Sequence, residues 1–359
     1  MPTRAQTNAK AAALRAIFEA QGAVPVEPPI LQPAETLLDL YGEDIRARAY
    51  VTSDALRGEQ MLRPDYTVPV VQMHMAHGAE PARYTYAGEV FRRQEHDPSR
   101  TNEYVQVGYE VFERADPASA DAEVFALIAG ALRGLPVRAV TGDIGLLMAA
   151  VSGLDTTPAR KGALMRHIWR PRRFRALLER FSGRTPVAAA RSELLAGGGN
   201  CDAPLTGKRT GAEIDARVVA LKADAAAPPI SAREVDLIET LLDIRGQMPA
   251  ALSRLHDLAV DLPTITAAVA RIEARQEALR ARDVDVGTLV FEASYGRSSM
   301  EYYDGFVFGF RAEDRADLPN VASGGRYDAL TRRLGDGVEI PAVGGVMRPG
   351  LLLELEGVA

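Results

Sequence analysis

The stretch 83-RYTYAGEVFRRQEHDPSRTNEYVQVGYEVFE-113 contains two strand-like segments separated by a polar loop. In residues 83–93 and 103–113, apolar and polar side chains alternate with the period of two that is typical of a β-strand. Residues 94–102 between them are rich in polar and turn-forming residues, including a proline. The stretch therefore predicts a long antiparallel hairpin.

Further strand-like segments lie on both sides of a long helical stretch. Residues 117–285 are rich in Ala, Leu and Arg and predict mostly helix, whereas the flanking parts contain apolar runs of strand length. The predicted strands outside the hairpin are 24–26, 49–52, 60–63, 137–141, 288–294, 302–310, 321–325 and 342–347, and the predicted helices before 117 are 5–21, 35–40 and 68–77. This order predicts an α+β fold, with an antiparallel sheet flanked by helices formed by residues 1–140 and 285–359, and a mostly helical insertion at 141–284.

The composition is that of a folded globular protein. Of the 359 residues, 47% are hydrophobic and 25% are charged, and the net charge of −6 does not favour a nucleic-acid partner. The basic segment 170-RPRRFR-175 indicates either docking to an acidic surface or a solvated face.

No apolar run reaches 18 residues and no signal-peptide cleavage pattern is present, so we expect a cytoplasmic protein without a membrane span. Cys201 and the five histidines match no metal-binding or redox motif, so no metal and no cofactor are expected.

The second strand of the hairpin carries polar groups on one face. Its period of two directs Val107 and Tyr109 to one side and Gln106, Gly108 and Glu110 to the other. Buried polar groups need hydrogen-bonding partners, so this face indicates either a polar ligand above the sheet or a strand whose polar side faces water. The strand alone favours neither alternative.

The first strand adds an arginine and a glycine to the same region. The guanidinium of Arg92 is suited to a carboxylate or a phosphate, but an ordinary cross-strand ion pair with Glu110 is also consistent with the pattern. Gly88 and Gly108 leave space above the sheet, which favours a ligand.

Six short segments, taken together in their order along the chain, form a pattern that no single one of them shows. They are 62-LRPDYT-67, 86-YAGEVFRRQE-95, 104-YVQVGYEVF-112, 301-EYYDGFVF-308, 323-SGGRYDAL-330 and 341-PAVGGVM-347. In order and spacing they resemble the catalytic core of the histidyl-tRNA synthetase family, over roughly residues 1–140 and 285–359. The resemblance implies a class II synthetase core, a dimer and a pocket for histidine.

The resemblance also implies roles for single residues. Asp65, in place of the family's usual glutamate, is expected to bind the ammonium group of histidine together with Thr67 and Glu110. Tyr303 and Tyr327 match tyrosines that contact the imidazole ring. The histidine-binding residues implied in this way are Asp65, Thr67, Arg92, Gln106, Glu110, Tyr303 and Tyr327, with no catalytic residue among them.

Several positions depart from the synthetase pattern where that family binds ATP. Ser298 stands at the position of an arginine that acts on the α-phosphate, with Arg297 one residue out of register and therefore expected on the opposite strand face. Leu351 stands where a second phosphate-binding arginine is usual, and the usual Phe-Arg-x-Glu is 91-FRRQ-94. Adenylate formation needs cationic groups at the phosphates, so these changes indicate that the chemistry is lost. The chain ends eight residues after Leu351, so we expect no anticodon-binding domain and no tRNA partner.

A histidine pocket without adenylate chemistry resembles the ATP phosphoribosyltransferase regulatory subunit family. The resemblance implies a non-catalytic subunit of histidine biosynthesis that activates a short-form catalytic subunit and mediates feedback inhibition by L-histidine. It also implies self-association as a dimer within a hetero-oligomer, expected to be a hetero-octamer. One alternative is a degenerate but active synthetase in which Arg297 or Arg348 replaces the lost arginines. Another is an interaction scaffold with an empty pocket, against which the retained Gln106, Glu110 and Tyr303 argue.

Overall fold

The computed structural model describes residues 2–35, 43–94, 100–197, 206–298 and 301–357, so that Cys201 and most of the predicted helix at 35–40 lie outside the described residues. The strands are β1 Val24–Pro25, β2 Leu31–Pro33, β3 Val51–Asp54, β4 Gly58–Leu62, β5 Ala82–Phe91, β6 Glu103–Phe112, β7 Val137–Asp143, β8 Arg245–Gln247, β9 Val290–Glu292, β10 Phe306–Ala312, β11 Ala322–Arg326 and β12 Ala342–Met347. The helices are α1 Arg4–Glu19, α2 Glu43–Arg48, α3 Thr67–His77, α4 Pro117–Ala131, α5 Ile144–Gly153, α6 Pro158–Arg166, α7 Pro171–Phe181, α8 Ala189–Leu195, α9 Gly211–Ala226, α10 Ala232–Leu242, α11 Met248–Asp261, α12 Thr266–Arg280, α13 Asp328–Leu334 and α14 Pro349–Leu355. Within these ranges, no helix combines the length and the apolar character needed to cross a membrane.

Nine strands form one sheet in the order β1-β5-β6-β12-β11-β10-β7-β9-β8. From β5 to β7 every neighbouring pair is antiparallel, whereas β1 with β5 and β7 with β9 are parallel pairs. Strands β2, β4 and β3 form a small separate antiparallel sheet. The predicted α+β fold with an antiparallel sheet flanked by helices is confirmed, and parallel pairs are added towards its edges.

The predicted hairpin is formed by β5 and β6, and from Gln106 to Phe112 both faces of β6 are buried. On one face, Phe18 of α1 stacks on the Tyr109 ring, and Glu123 of α4 accepts a hydrogen bond from the Tyr109 hydroxyl at 2.5 Å. On the other face, Gln106 and Glu110 are each only 1% exposed. The alternative in which this polar face lies in water is therefore wrong, and its polar groups must find partners inside the protein.

The strand predicted at 302–310 begins later than its aromatic sequence suggests. Residues 293–298 form turns and β10 starts at Phe306, so Arg297 does not lie on a strand face and that prediction is wrong. The carboxylate of Asp304 accepts two backbone N–H groups at the start of α13, at 3.1 and 2.6 Å. These bonds tie the chain just before Phe306 to the start of α13, and the Asp304 N–H also donates to the Arg326 carbonyl at the end of β11 at 3.0 Å.

Buried ion pairs attach α12 to α4 and to the sheet. Arg275 of α12 donates to Asp121 of α4 at 2.8 Å and to Asp143 at the end of β7 at 3.0 Å. Arg326 of β11 donates to the other oxygen of Asp121 at 2.7 Å. All four side chains are at most 8% exposed. Because a buried charge without a partner is costly, this network fixes α12 against the sheet.

Candidate functional site

Glu110 lies at the centre of a buried polar cluster. Thr67, at the start of α3, donates to Glu110 Oε1 at 3.0 Å, and Tyr86 of β5 donates to the same oxygen at 2.9 Å. Tyr327, just before α13, donates to Glu110 Oε2 at 2.6 Å. Three hydroxyl groups thus take the place of water around one carboxyl group.

Burial raises the pKa of Glu110 to about 7. Removal from water disfavours the carboxylate, and the charge of Asp65 disfavours it further, while the three hydroxyl donors act in the opposite direction without cancelling the effect. A cationic group beside Glu110 would favour its ionised form. The site is therefore suited to an ammonium group.

Asp65 provides a second acidic group in the same cluster. Tyr302 donates to Asp65 Oδ2 at 3.3 Å, and Arg92 Nη2 lies 4.0 Å from the same oxygen. Tyr84, not Arg92, stands opposite Glu110 in the hairpin register. Arg92 therefore reaches the cluster through Asp65.

Tyr303 and Gln106 complete the set of predicted residues. Tyr303 is 8% exposed and packs edge-on against Tyr302, with ring centroids 5.0 Å apart. Its pKa is raised by burial and then by the charges of Glu110 and Asp65. Gln106 Oε1 is buried and has no hydrogen-bond partner in the described part of the chain. A buried carbonyl oxygen of this kind is costly unless a donor is supplied.

The space above Gly88 and Gly108 is filled by tyrosines. A Cβ on Gly88 would collide with the Tyr66 hydroxyl, and one on Gly108 would collide with the Tyr86 ring. The two tyrosine rings stack with centroids 4.1 Å apart. The expectation that these glycines leave space for a ligand is therefore wrong. Tyr86 was missed by sequence reasoning, although its position opposite Gly108 in the hairpin register could have revealed it.

Gly344→Ala is expected to displace the Glu110 side chain and lower the free energy of unfolding by about 1–3 kcal/mol. Gly344 in β12 is paired with Glu110 in β6, and an added Cβ would overlap Glu110 Oε2. Urea denaturation measures the loss. Gly130→Ala in α4 is the control, because the space around Gly130 is open and alanine favours helix by up to about 1 kcal/mol. Equal stability of Gly344→Ala and wild type would contradict this packing.

A group of arginines lies on the Arg92 side of the cluster. The Arg348 guanidinium lies 5.6 Å from the centroid of the Tyr104 ring. Burial lowers the pKa of Arg348, and the charges of Arg92, Arg100 and Arg48 lower it further, with Tyr104 acting in the opposite direction. Arg348 thus carries its charge in the field of other arginines, and guanidinium groups are suited to a carboxylate or a phosphate.

Arg297, the other arginine considered as a replacement, is bound by the helical part of the chain. Its Nε donates to the Ile168 carbonyl at 2.9 Å, and its guanidinium lies 4.8 Å from the centroid of the Phe174 ring. Burial lowers the pKa of Arg297 to about 10, with a contribution from the charge of Arg175. Arg348 is therefore the replacement candidate that lies among the other arginines.

A cavity of about 300 Å³ opens elsewhere on the surface. It is lined by Val26, Glu27, Pro28, Pro29, Gln32, Pro69 and Met73. None of these is a predicted histidine-binding residue, so the cavity is distinct from the cluster around Glu110.

Known proteins match this chain along most of its length. The family model described as histidyl-tRNA synthetase matches residues 1–201 and 212–350. The ATP phosphoribosyltransferase regulatory subunit of Brucella canis is 31% identical over 355 residues, covering 92% of this chain and 93% of that protein. This chain belongs to the ATP phosphoribosyltransferase regulatory subunit family. The Brucella ovis protein of the same name shows the same identity and coverage.

Solved structures related to this family share the fold. A protein of Bacillus halodurans described as an ATP phosphoribosyltransferase regulatory subunit/histidyl-tRNA synthetase superposes with a TM-score of 0.69 at 21% identity, covering 98% of this chain and 79% of that chain. A histidine–tRNA ligase subunit of Alicyclobacillus acidocaldarius gives 0.61 at 21% identity, covering 99% and 94%. The fold is therefore that of a class II synthetase core. The family match also extends into residues 141–284, beyond the six motifs that first indicated it.

Proposed function

We propose that this chain is a non-catalytic, histidine-sensing subunit that activates a short-form ATP phosphoribosyltransferase catalytic subunit and transmits feedback inhibition. The observation that carries the proposal is the buried carboxyl group of Glu110, held by three hydroxyl groups and poised for a cationic ligand. In this proposal the phosphoribosyl transfer occurs on the partner chain, in the cytoplasm. Two such chains pair as a dimer within a hetero-octamer.

The ammonium group of histidine is proposed to lie between the two acidic side chains. Glu110 and Asp65 supply the negative charge, and Thr67 already fixes one oxygen of Glu110. Charge-assisted hydrogen bonds of this kind contribute about 1.5–3 kcal/mol each. Gln106 Oε1 has no donor among the described residues, so a ligand N–H group would relieve its unfavourable burial.

The remaining groups of histidine have matching partners nearby. Tyr327 donates its proton to Glu110, so its hydroxyl oxygen is available to accept a hydrogen bond from an imidazole N–H. Tyr303 supplies a second phenol, and Arg92 supplies a guanidinium for the ligand carboxylate. A single amino acid would thereby neutralise both the acidic and the basic sides of the site.

Feedback in this proposal is a coupling between two binding events. If histidine favours an inactive state of the complex, the state of the catalytic subunit changes the affinity for histidine by the same factor. Couplings of this kind are typically about 5- to 150-fold. Histidine affinity should therefore differ between the free chain and the complex.

Co-purification with a short-form catalytic subunit tests the proposal. We expect the two chains to elute together, the transferase activity to depend on this chain, and histidine to inhibit it. Asp65→Ala is expected to raise the histidine concentration for half-inhibition about tenfold or more, because the ammonium loses one charged partner. Activation by Asp65→Ala should persist, and Glu59→Ala, an exposed substitution in β4, should match wild type. No co-elution and no histidine binding by calorimetry would refute the proposal.

A second candidate is a degenerate synthetase that forms histidyl-adenylate, and the arginines around Arg348 are the observation that favours it. They lie on the side of the cluster suited to phosphate groups. Pyrophosphate exchange with histidine and ATP separates the candidates. Exchange that Arg348→Ala abolishes would favour the synthetase, whereas no exchange under conditions where histidine binds favours the regulatory subunit.

A further inference from the structure

The turn that leads into α7 contacts the chain segment carrying Tyr303. The indole Nε1 of Trp169 donates to the Tyr303 carbonyl at 3.2 Å. Arg170 Nη2 donates to both carboxylate oxygens of Glu301, at 3.0 and 3.2 Å. Two consecutive residues of the turn are therefore bound to the wall of the proposed histidine site.

Arg297 makes two further contacts with this turn and the start of α7. Arg297 Nε donates to the Ile168 carbonyl, and the Arg297 guanidinium covers the Phe174 ring. Ile168 and Phe174 are 0% and 1% exposed. The inner side of residues 168–174 is thus packed, and a displacement of the wall at Tyr303 cannot leave the turn unaffected.

The exposed side of α7, the helix that follows this turn, is cationic. Arg172 and Arg175 are exposed and stand three residues apart on α7, so they lie on one face of the helix. Among the described residues, no carboxylate forms an ion pair with either of them. The chain as a whole carries a net charge of −6, so this is a local basic surface on an acidic protein. An acidic protein surface is the complementary partner.

We propose that Arg172 and Arg175 dock on an acidic face of the catalytic subunit, and that the contacts of Trp169 and Arg170 link this interface to the histidine site. The inference rests on the proposed function and adds to it the surface and the charge of the partner. The turn contacts the wall of the proposed histidine site, and α7, which follows it directly, presents the docking arginines. Histidine binding and partner binding thereby act on one rigid element.

Charge reversal tests the interface. We expect the double variant Arg172→Glu/Arg175→Glu to bind the purified catalytic subunit at least tenfold more weakly, with an effect that shrinks at high salt, while its affinity for histidine stays unchanged. Arg254→Glu, an exposed arginine of α11, is the matched control and should bind within twofold of wild type. If wild type binds the catalytic subunit and the double variant binds it equally well, this inference is overturned and the proposed function stands. Failure of wild type to bind the catalytic subunit would overturn both.

The link to the histidine site has its own measurement. Trp169 is the one tryptophan of the chain, so its emission reports on the turn directly. We expect histidine to change this emission in wild type. Glu301→Gln should retain partner binding and reduce the factor by which the catalytic subunit changes histidine affinity, at least threefold. An emission unaffected by saturating histidine, or a coupling factor unchanged in Glu301→Gln, would overturn the link.

Discussion

Glutamine in place of Glu110 is expected to lower the affinity for histidine by roughly 10- to 100-fold at pH 8. Glutamine keeps the shape and an acceptor for the hydroxyl groups around it, but it removes the negative charge that faces the ligand ammonium. A hydrogen bond to a charged group contributes about 1.5–3 kcal/mol, which corresponds to this range. Isothermal titration calorimetry measures the change.

Glu103→Gln is the matched control for this substitution. Glu103 lies in the same strand and its side chain is 50% exposed, so its loss should change histidine affinity by less than twofold. Histidine binding of equal strength in Glu110→Gln and Glu103→Gln would remove Glu110 from the ammonium site.

The difference in unfolding free energy between wild type and Glu110→Gln is expected to depend on pH in a defined direction. The pKa of Glu110 is about 7 in the folded protein and 4.5 in its ordinary state, so between these values the folded protein holds a proton that the unfolded chain releases. Wild type therefore loses up to about 3 kcal/mol of unfolding free energy from this group as the pH rises from 4.5 through 7. The variant lacks this loss and should be the more stable protein at pH 8, with the difference vanishing near pH 4.5. Urea denaturation at both pH values measures it, and the opposite trend would contradict the assigned burial.

The affinity for histidine should also depend on pH through Glu110. An ammonium ligand binds the ionised carboxyl group, so below pH 7 binding must release a proton from Glu110. We expect affinity to fall by up to about tenfold per pH unit below 7 through this group. The titration of the ligand imidazole is common to wild type and Glu110→Gln, so the ratio of their affinities isolates the contribution of Glu110.

Arg275→Leu is expected to lower the free energy of unfolding by about 3–5 kcal/mol. Asp143 would lose its buried ion-pair partner, while Asp121 would keep Arg326. Arg254→Leu, an exposed arginine of α11, should change stability little. Urea denaturation at pH 7 compares the two variants.

A double variant separates the buried charge from the lost packing. Asp143 also caps α5 by accepting the Gly145 N–H at 2.9 Å, and asparagine retains that acceptor without the charge. Asp143→Asn combined with Arg275→Leu is therefore expected to recover part of the loss. A double variant as unstable as the sum of the two single changes would show that the ion pair is not the cause.

Local patterns in the amino-acid sequence were sufficient for several elements. The period of two in residues 83–93 and 103–113 predicted the hairpin, since side-chain alternation follows directly from strand geometry. The order and spacing of six motifs predicted the class II core, which the family match and the superpositions confirm. The roles of Asp65 and the other six residues in binding histidine stay predictions.

Other features depended on contacts between distant parts of the chain. The aromatic sequence from Tyr302 suggested an early strand, but the chain at Asp304 is bound to the start of α13 and β10 begins only at Phe306. Arg297 and Arg348 looked equivalent as replacements, yet one is bound to Ile168 and the other lies among arginines. No local pattern carries such differences, because they arise from tertiary packing.

The sequence by itself determined strand alternation and the hairpin, since these follow from residues that are neighbours along the backbone, and the order and spacing of six motifs indicated the antiparallel core and its family. Folding in three dimensions settled what fills the space over the sheet and how Glu110 is held. The bond from Tyr327 to Glu110 spans 217 residues of sequence, and a carboxyl group acquires its pKa from whatever surrounds it in space.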